Sequence, residues 1–136
     1  MDFEQLSDAE RAKHNRISRD IIGAAIKVHS VLGPGLLESA YEVCLAQELR
    51  LRGHHVKTQV GVPVCYEGVE VELGFRLDML VDNCIVLELK ASEGIASVHK
   101  AQLLSYLRLS NRRLGLLINF HVDQLKNGIV RSVNHF

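Results

Sequence analysis

Apolar residues recur every three or four positions in the first third of the chain, which is the spacing of one face of an α-helix. The first such run extends from Arg16 to Leu32 and stops at Gly33-Pro34-Gly35, a helix-breaking sequence. A second run extends from Leu37 to Leu49 and ends near Gly53, which suits the residue after a helix. We therefore predict two helices, preceded by a polar lead-in over residues 1–14 that turns helical near Ser7.

The apolar spacing changes to two in the middle of the chain, as in strands with one buried face. Alternation runs from Val60 to Tyr66, and after Glu67-Gly68 it continues unbroken from Val69 to Val81. Glu67-Gly68 suits a two-residue hairpin turn, which would place both apolar rows on one face. Pro63 cannot donate a hydrogen bond to a neighbouring strand, so we expect an edge strand or a bulge at this position.

The connection to the third strand decides which side chains share a face. This strand has two rows: Ile85, Leu87 and Leu89 in one, and Val86, Glu88 and Lys90 in the other. A two-residue turn at Asp82-Asn83 would put the apolar rows of the two strands on opposite faces. A three-residue loop that includes Cys84 brings Val81 opposite Ile85 and keeps the rows together. Because hydrophobic burial fixes strand register, we predict this loop or a bulge.

Asp78, Glu88 and Lys90 then lie on one face by packing alone. Glu88 and Lys90 are two positions apart and point the same way on a strand, and the register adds Asp78. Two carboxylates can bind a hard divalent cation, and a lysine beside them can orient a water and stabilise phosphate charge. The alternative is an ordinary surface pair of Asp78 with Arg76 or Lys90. The shared face favours a metal-dependent phosphodiesterase site.

The last third of the chain predicts a helix between two strands. The helix extends from about Ser97 to Leu109, and a nearly all-apolar strand follows over residues 114–120. A turn at Asn127-Gly128 precedes a short strand over residues 129–133. A helix between two strands indicates a parallel crossover. We therefore expect an α/β fold with a mixed β-sheet flanked by helices.

Three short motifs occur in a fixed order along these elements. They are Asp78 with Glu88-Leu89-Lys90, Gln102 followed by Tyr106 in a Q-x3-Y pattern, and Gly35 to Tyr41 in a G-x-x-E-x-x-Y pattern. Together they resemble the PD-(D/E)xK nuclease superfamily, and the third is similar to the signature of its small GxxExxY family. Leu77 stands where the superfamily motif has proline. The resemblance covers about residues 15–133. It implies a single domain over residues 1–136, with a restriction-endonuclease-like αβββαβ core and an extra N-terminal helix.

The resemblance also implies a role for each motif residue. The residues concerned are Glu38, Asp78, Glu88, Lys90, Gln102 and Tyr106. Glu38, Asp78 and Glu88 would bind Mg²⁺ or Mn²⁺, and Lys90 would lie beside the attacking water. Gln102 would support catalysis, and Tyr106 would contact substrate. Structural alternatives stay open. Glu38 also suits a helix N-terminus, Gln102 suits a helix surface, and Tyr106 suits the core.

Composition narrows the class of protein. The three cysteines, Cys44, Cys65 and Cys84, are an odd number without CxxC spacing, which argues against a zinc site or disulfides and favours a reducing cytoplasm. No apolar run approaches the ~20 residues of a membrane span. Lysine plus arginine and aspartate plus glutamate number 16 each, so net charge does not itself predict a nucleic-acid binder.

Two functions are compatible with these observations. The first is a Mg²⁺- or Mn²⁺-dependent nuclease with DNA as the expected substrate. The second is a catalytically inactive binding or interaction module that keeps the nuclease fold, which the balanced charge favours. A chain of this size offers little surface for gripping a duplex, so we expect a homodimer or a larger protein partner to contribute.

Overall fold

The computed structural model of the chain describes residues 4–136, and within them three α-helices surround one five-stranded sheet. The helices are α1 (Asp8–Leu32), α2 (Glu38–Leu51) and α3 (Ser97–Ser110). The strands are β1 (Val56–Tyr66), β2 (Val69–Val81), β3 (Ile85–Lys90), β4 (Leu114–Asn119) and β5 (Ile129–Val133), with a 3₁₀ turn at Leu125–Gly128. The sheet order is β1-β2-β3-β4-β5, and β3 and β4 are parallel. The predicted α/β fold with a mixed sheet is confirmed.

Helix α1 begins within the polar lead-in, close to the predicted Ser7. The Ser7 hydroxyl accepts a hydrogen bond from the Glu10 amide, and the Glu10 side chain accepts one from the Ser7 amide, at 3.2 Å each. This reciprocal capping satisfies two amides that the first helical turn leaves free. No helix in the described part of the chain is long and apolar enough to cross a membrane.

The helices cover opposite faces of the sheet. Helices α1 and α2 pack on one face, where Ile21, Leu45 and Leu87 belong to one core. Helix α3 packs on the other face, where Leu103 and Leu107 belong to a second core. Strands β3 and β4 are therefore buried on both sides, and every residue of β4 is buried. Two buried polar residues, Glu88 and Asn119, lie at or next to the ends of these central strands.

The three-residue connection between β2 and β3 is confirmed. Val81 lies opposite Ile85, and Leu80 lies opposite Val86. Asp82 and Asn83 take left-handed φ angles of 52° and 58°, and the Cys84 amide donates to the Val81 carbonyl at 3.0 Å. Aspartate and asparagine tolerate this conformation better than most residues. The loop thus fixes the register that carries Asp78 toward Glu88.

The predictions for the β1–β2 hairpin are also confirmed. Tyr66 lies opposite Val69, and the turn residues Glu67 and Gly68 have φ angles of 47° and 79°. Strand β1 lies at the sheet edge, and the register shifts between Val62 and Val64, on either side of Pro63. The missing amide hydrogen of proline is therefore accommodated in the two ways that the sequence suggested.

The single apolar face predicted for β2 is wrong. Met79 and Val81 pack beneath α1 and α2, whereas Leu77 belongs to the core beneath α3. Farther along, the side chains of Val69, Val71 and Leu73 are exposed. Strand β3 has only six residues, so β2 continues past it with β1 as a two-stranded arm. Near Asp78 the arm changes the face that packs against the helices, and within residues 4–136 no helix covers its outer half.

Candidate active site

A cavity of about 550 Å³ opens where β2 leaves β3, beside the N-terminus of α2. Its lining combines acids from both elements with apolar residues of the preceding loop. The lining residues are Leu36, Leu37, Glu38, Ser39, Glu42, Gln59, Asp78, Leu89 and Ala91. Three carboxyl groups, those of Glu38, Glu42 and Asp78, therefore share one opening.

Asp78 and Glu88 are interlocked across the gap between their strands. The Asp78 amide donates to Glu88 Oε2 at 2.8 Å, and the Leu89 amide donates to Asp78 Oδ2 at 2.8 Å. Regular pairing between β2 and β3 ends one residue earlier, at Met79 and Leu87. The two carboxyl groups thus accept hydrogen bonds from backbone amides that lie beyond the regular ladder. The structure brings the predicted acids together, and their orientation is set by the backbone.

Burial makes ionisation of both acids costly. Only 7% of Glu88 is exposed, and burial followed by the nearby Asp78 charge raises the pKa of Glu88 to about 8. Burial likewise raises the pKa of Asp78, and Glu38 adds to this effect. The amide hydrogen bonds and Lys90 act in the opposite direction on both groups. Buried, mutually repelling carboxyl groups gain most from a cation that neutralises them.

Glu38 approaches this pair from the other side of the cavity. It is the first residue of α2, and its Oε1 accepts a hydrogen bond from the Ala91 amide at 3.3 Å. The loop before it is held by Tyr41, whose hydroxyl donates to the Gly33 carbonyl at 2.5 Å and accepts from the Leu36 amide at 3.2 Å. The buried Tyr41 ring stacks on Phe120 at 4.4 Å between centroids. The loop geometry therefore fixes where Glu38 enters.

Lys90 lies at the end of β3, where β4 fixes the backbone. The Phe120 amide donates to the Lys90 carbonyl at 2.9 Å. Asn119 lies opposite Lys90 in β4, is buried, and exchanges hydrogen bonds with the Ser92 backbone at 3.2 and 2.8 Å. The half-buried Lys90 lowers the pKa of both Asp78 and Glu88 by its charge. Its ammonium group is therefore electrostatically coupled to the acid pair.

Helix α3 brings Tyr106 toward the acid pair and Gln102 to Tyr106. Gln102 is exposed, and its Nε2 donates to the Tyr106 hydroxyl at 2.8 Å. The Tyr106 ring stacks on Phe75 at 4.3 Å between centroids. Burial, followed by the charge of Glu88, raises the pKa of Tyr106. Gln102 is outside the cavity lining and reaches the site through Tyr106.

Glu42 and Gln59 are polar cavity residues that the sequence did not single out. Glu42 follows Glu38 by four residues, so the two share a helix face, and this spacing could have revealed it. Gln59 precedes the alternating stretch and carries no motif. Its Nε2 donates to Glu42 Oε1 at 2.7 Å. Asn119 was missed for another reason, because it ends a strand that reads as wholly apolar.

The acids of the site fit a hard divalent cation by donor type. Among residues 4–136, no three histidine, cysteine, aspartate or glutamate side chains are already gathered as a metal-binding cluster. Asp78 and Glu88 each use one oxygen for a backbone amide and retain a second oxygen. Carboxylate oxygens are the ligands that Mg²⁺ and Mn²⁺ prefer. A cation would also offset the burial, and the smaller repulsion from neighbouring acids, that raise the pKa of both groups.

The mixed sheet, the flanking helices and the acid pair beside a lysine define a nuclease-like α/β domain. A family model described as the PD-(D/E)XK nuclease superfamily matches residues 15–132. The chain belongs to this superfamily, whose nucleases generally use divalent metals. Comparison with curated proteins and with solved structures finds no match in either set.

Proposed function

We propose that this protein is a divalent-metal-dependent nuclease that hydrolyses phosphodiester bonds in DNA. The observation that carries the proposal is the interlocked pair of Asp78 and Glu88, which is coupled to the charge of Lys90 and whose Asp78 lines a cavity of about 550 Å³. A fold alone does not define an activity, because one architecture hosts many functions. A buried acid pair with raised pKa values is instead a feature typical of functional sites.

Asp78, Glu88 and Glu38 would hold Mg²⁺ or Mn²⁺ through carboxylate oxygens. When bound, such a cation supplies positive charge to the phosphate and lowers the pKa of a coordinated water. The protein supplies the rigid frame, since Asp78 and Glu88 are each tied to a backbone amide. Glu38 is tied to the Ala91 amide in the same way.

Lys90 and Tyr106 supply donors beside the acid pair. The Lys90 ammonium group orients the attacking water and stabilises charge that develops on the phosphoryl oxygens. Gln102 donates to the Tyr106 hydroxyl oxygen, so the hydroxyl hydrogen of Tyr106 remains available for a phosphate oxygen. Gln102 in this scheme positions Tyr106 and sets the direction of its hydrogen.

Each residue of the G-x-x-E-x-x-Y pattern has a structural role, which supports membership in the GxxExxY family. Gly35 has a φ of 98°, a conformation that side chains rarely adopt. Glu38 lines the cavity, and the Tyr41 hydroxyl closes the loop between them. Each of the three signature positions thus contributes to the placement of one carboxylate.

The setting of the protein is part of the same proposal. Cys44, Cys65 and Cys84 are free thiols, which suits a reducing cytoplasm. A homodimer or a larger protein partner would extend the surface available for a DNA duplex, because 16 acidic residues balance 16 basic ones in a small domain.

Cleavage assays with single- and double-stranded DNA and RNA test the proposal, with Mn²⁺ or with a chelator. We expect wild type to cleave DNA only with metal, and Asp78→Asn to lose about 100-fold or more in rate because it removes one anionic ligand. Asp123→Asn, an exposed acid outside the cavity, serves as the matched control. Absence of cleavage of every substrate, with no Mn²⁺-induced rise in melting temperature, would favour the non-catalytic binding module.

A further inference from the structure

Gln59 adopts a backbone conformation that is costly for its residue type. Its φ is 52°, in the left-handed region where glycine, asparagine and aspartate are enriched. Gln59 is exposed, so burial of its side chain does not compensate for this cost. Strained residues of this kind persist where the surrounding structure requires them and cluster at functional sites.

The strain is located opposite Asp78. The flanking pairs of the hairpin are Thr58 with Met79 and Val60 with Leu77, which places Gln59 across from Asp78. Met79 packs beneath α1 and α2, whereas Leu77 packs beneath α3. The hairpin therefore changes face at the Gln59–Asp78 position, and the cavity opens there.

The Gln59 side chain spans two acids on different elements. Its Nε2 donates to Glu42 Oε1 on α2 at 2.7 Å, and both residues line the cavity with Asp78. The side-chain amide of Gln59 also interacts with the Asp78 carboxyl group and lowers the pKa of Asp78. Glu42, in turn, raises the pKa of Glu88, so it faces the same group of acids. A neutral donor between carboxylates reduces their repulsion without adding a charge that would compete with a cation.

We propose that Gln59 is a positioning residue of the candidate active site, which holds the Asp78 carboxylate and the Glu42 side chain in place across the cavity. The inference rests on the proposed function and assigns a role to a residue outside the motifs. It also makes Glu42 a fourth acid directed at the site. A position in β1 with no role beyond chain geometry would be less strained with glycine, so the presence of glutamine points to a role for its side chain.

The test uses Gln59→Gly, with Glu67→Gly as the matched control. Both positions lie in the β1–β2 hairpin and have positive φ, but Glu67 is at the distant turn. Hydrogen exchange of the Leu89 amide, which donates to Asp78 Oδ2, reports how well Asp78 is held without any metal. We expect Gln59→Gly to exchange about tenfold faster at Leu89 and to bind Mn²⁺ about tenfold more weakly by calorimetry. Its melting temperature should stay within about 3 °C of wild type, since glycine relieves the strain.

Gln59→Glu keeps the length of the side chain and removes the amide donor. We expect it to accelerate Leu89 exchange as Gln59→Gly does, and Glu67→Gly to leave exchange and Mn²⁺ affinity unchanged. Unchanged Leu89 exchange in both Gln59 variants would overturn the positioning role. A lower melting temperature of Gln59→Gly with an unchanged exchange rate of the Leu89 amide would also overturn it, because a purely structural residue would give this result. Failure of wild type to bind Mn²⁺ would instead contradict the proposed function. Exchange of the Leu89 amide would still test the positioning role of Gln59, because it is measured without metal.

Discussion

At the scale of single residues, the Glu88 carboxyl group couples the candidate site to stability. Its ordinary pKa is 4.5, and burial followed by the charge of Asp78 raises it to about 8 in the folded protein. Between these values the folded state retains a proton that the unfolded state has released. Stability therefore falls as pH rises through this interval, by up to about 1.4 kcal/mol per pH unit.

Replacing the titrating group tests this linkage. Glu88→Gln keeps an oxygen that accepts from the Asp78 amide and cannot ionise. Without metal, we expect its melting temperature to exceed that of wild type above pH 8 and to match it near pH 4.5, with Glu93→Gln as an exposed control. Thermal unfolding from pH 4.5 to 9 measures the difference. Equal curves for wild type and Glu88→Gln across this range would contradict the raised pKa.

The predicted placement of Asp78 relative to Glu88 followed from one physical constraint, the burial of two apolar rows. That constraint acts on which face of the strand each side chain occupies, and the alternation of apolar and polar residues in the sequence shows this directly. The φ of Gln59 left no such trace, because alternation reports which face a residue occupies and not the sign of its backbone angle. The pKa of Glu88 depends on burial from both sheet faces, and a sequence pattern gives no measure of that depth.

At the scale of elements, His54 links the α2–β1 connection to helix α1 and to the β2–β3 loop. Its Nδ1 bonds Asp82 Oδ2 at 2.6 Å in the β2–β3 loop, and its Nε2 bonds Asp20 of α1, which Arg52 also pairs with at 2.9 Å. Burial alone would lower the pKa of His54, but the bonds to both aspartates outweigh it, and the net pKa is raised. The protonated ring can donate to both acids at once.

This arrangement predicts stability that is present at low pH and lost at high pH. The contribution is complete below the ordinary histidine pKa of 6.5 and disappears as pH rises through the higher folded-state value. We expect His54→Ala to cost about 1–2 kcal/mol of unfolding free energy at pH 6 and less at pH 9. Denaturant unfolding at both pH values, with the exposed His121→Ala as control, measures this; an equal cost at both would contradict the linkage.

Tyr41 predicts a second effect at this scale. Tyr41→Phe keeps the ring stacked on Phe120 and removes the hydroxyl that bonds Gly33 and Leu36. We expect a loss of about 1–2 kcal/mol in stability and a larger proportional loss of metal-dependent cleavage, since the loop places Glu38. Tyr66→Phe, at the exposed hairpin tip, is the matched control. Unaltered cleavage by Tyr41→Phe would contradict a role of this loop in placing Glu38 for cleavage.

Most element boundaries and registers were predictable because capping residues, turn residues and periodicity are local signals, although β1 begins at Val56 and not at the predicted Val60. Ser7, Glu67-Gly68 and the Asp82–Cys84 loop each act within a few residues of themselves. The change of face along β2 was not predictable in this way. It arises because β3 ends after six residues and α3 covers only the inner half of the arm, which is a property of the assembled fold.

At the scale of the whole molecule, the candidate site exists because three separately encoded parts meet at one end of the sheet. Helix α2 brings Glu38 and Glu42, the divergence of β2 from β3 exposes Asp78, and α3 approaches with Tyr106 from the opposite face. Motif residues marked most of these parts in the sequence. Their convergence required the sheet order and the parallel crossover. The alternation of strands and helices predicted the crossover.

The most direct test of the account separates metal binding from cleavage at Lys90. Lys90 influences both acids by its charge, but an ammonium group is not a metal ligand. Calorimetry with Mn²⁺ and DNA cleavage should therefore be measured on the same preparations of wild type and Lys90→Ala, with the exposed Lys126→Ala of the 3₁₀ turn as a control. For Lys90→Ala we expect Mn²⁺ affinity within about threefold of wild type and a cleavage rate reduced about 100-fold or more. Equal cleavage by wild type and Lys90→Ala would contradict the central claim.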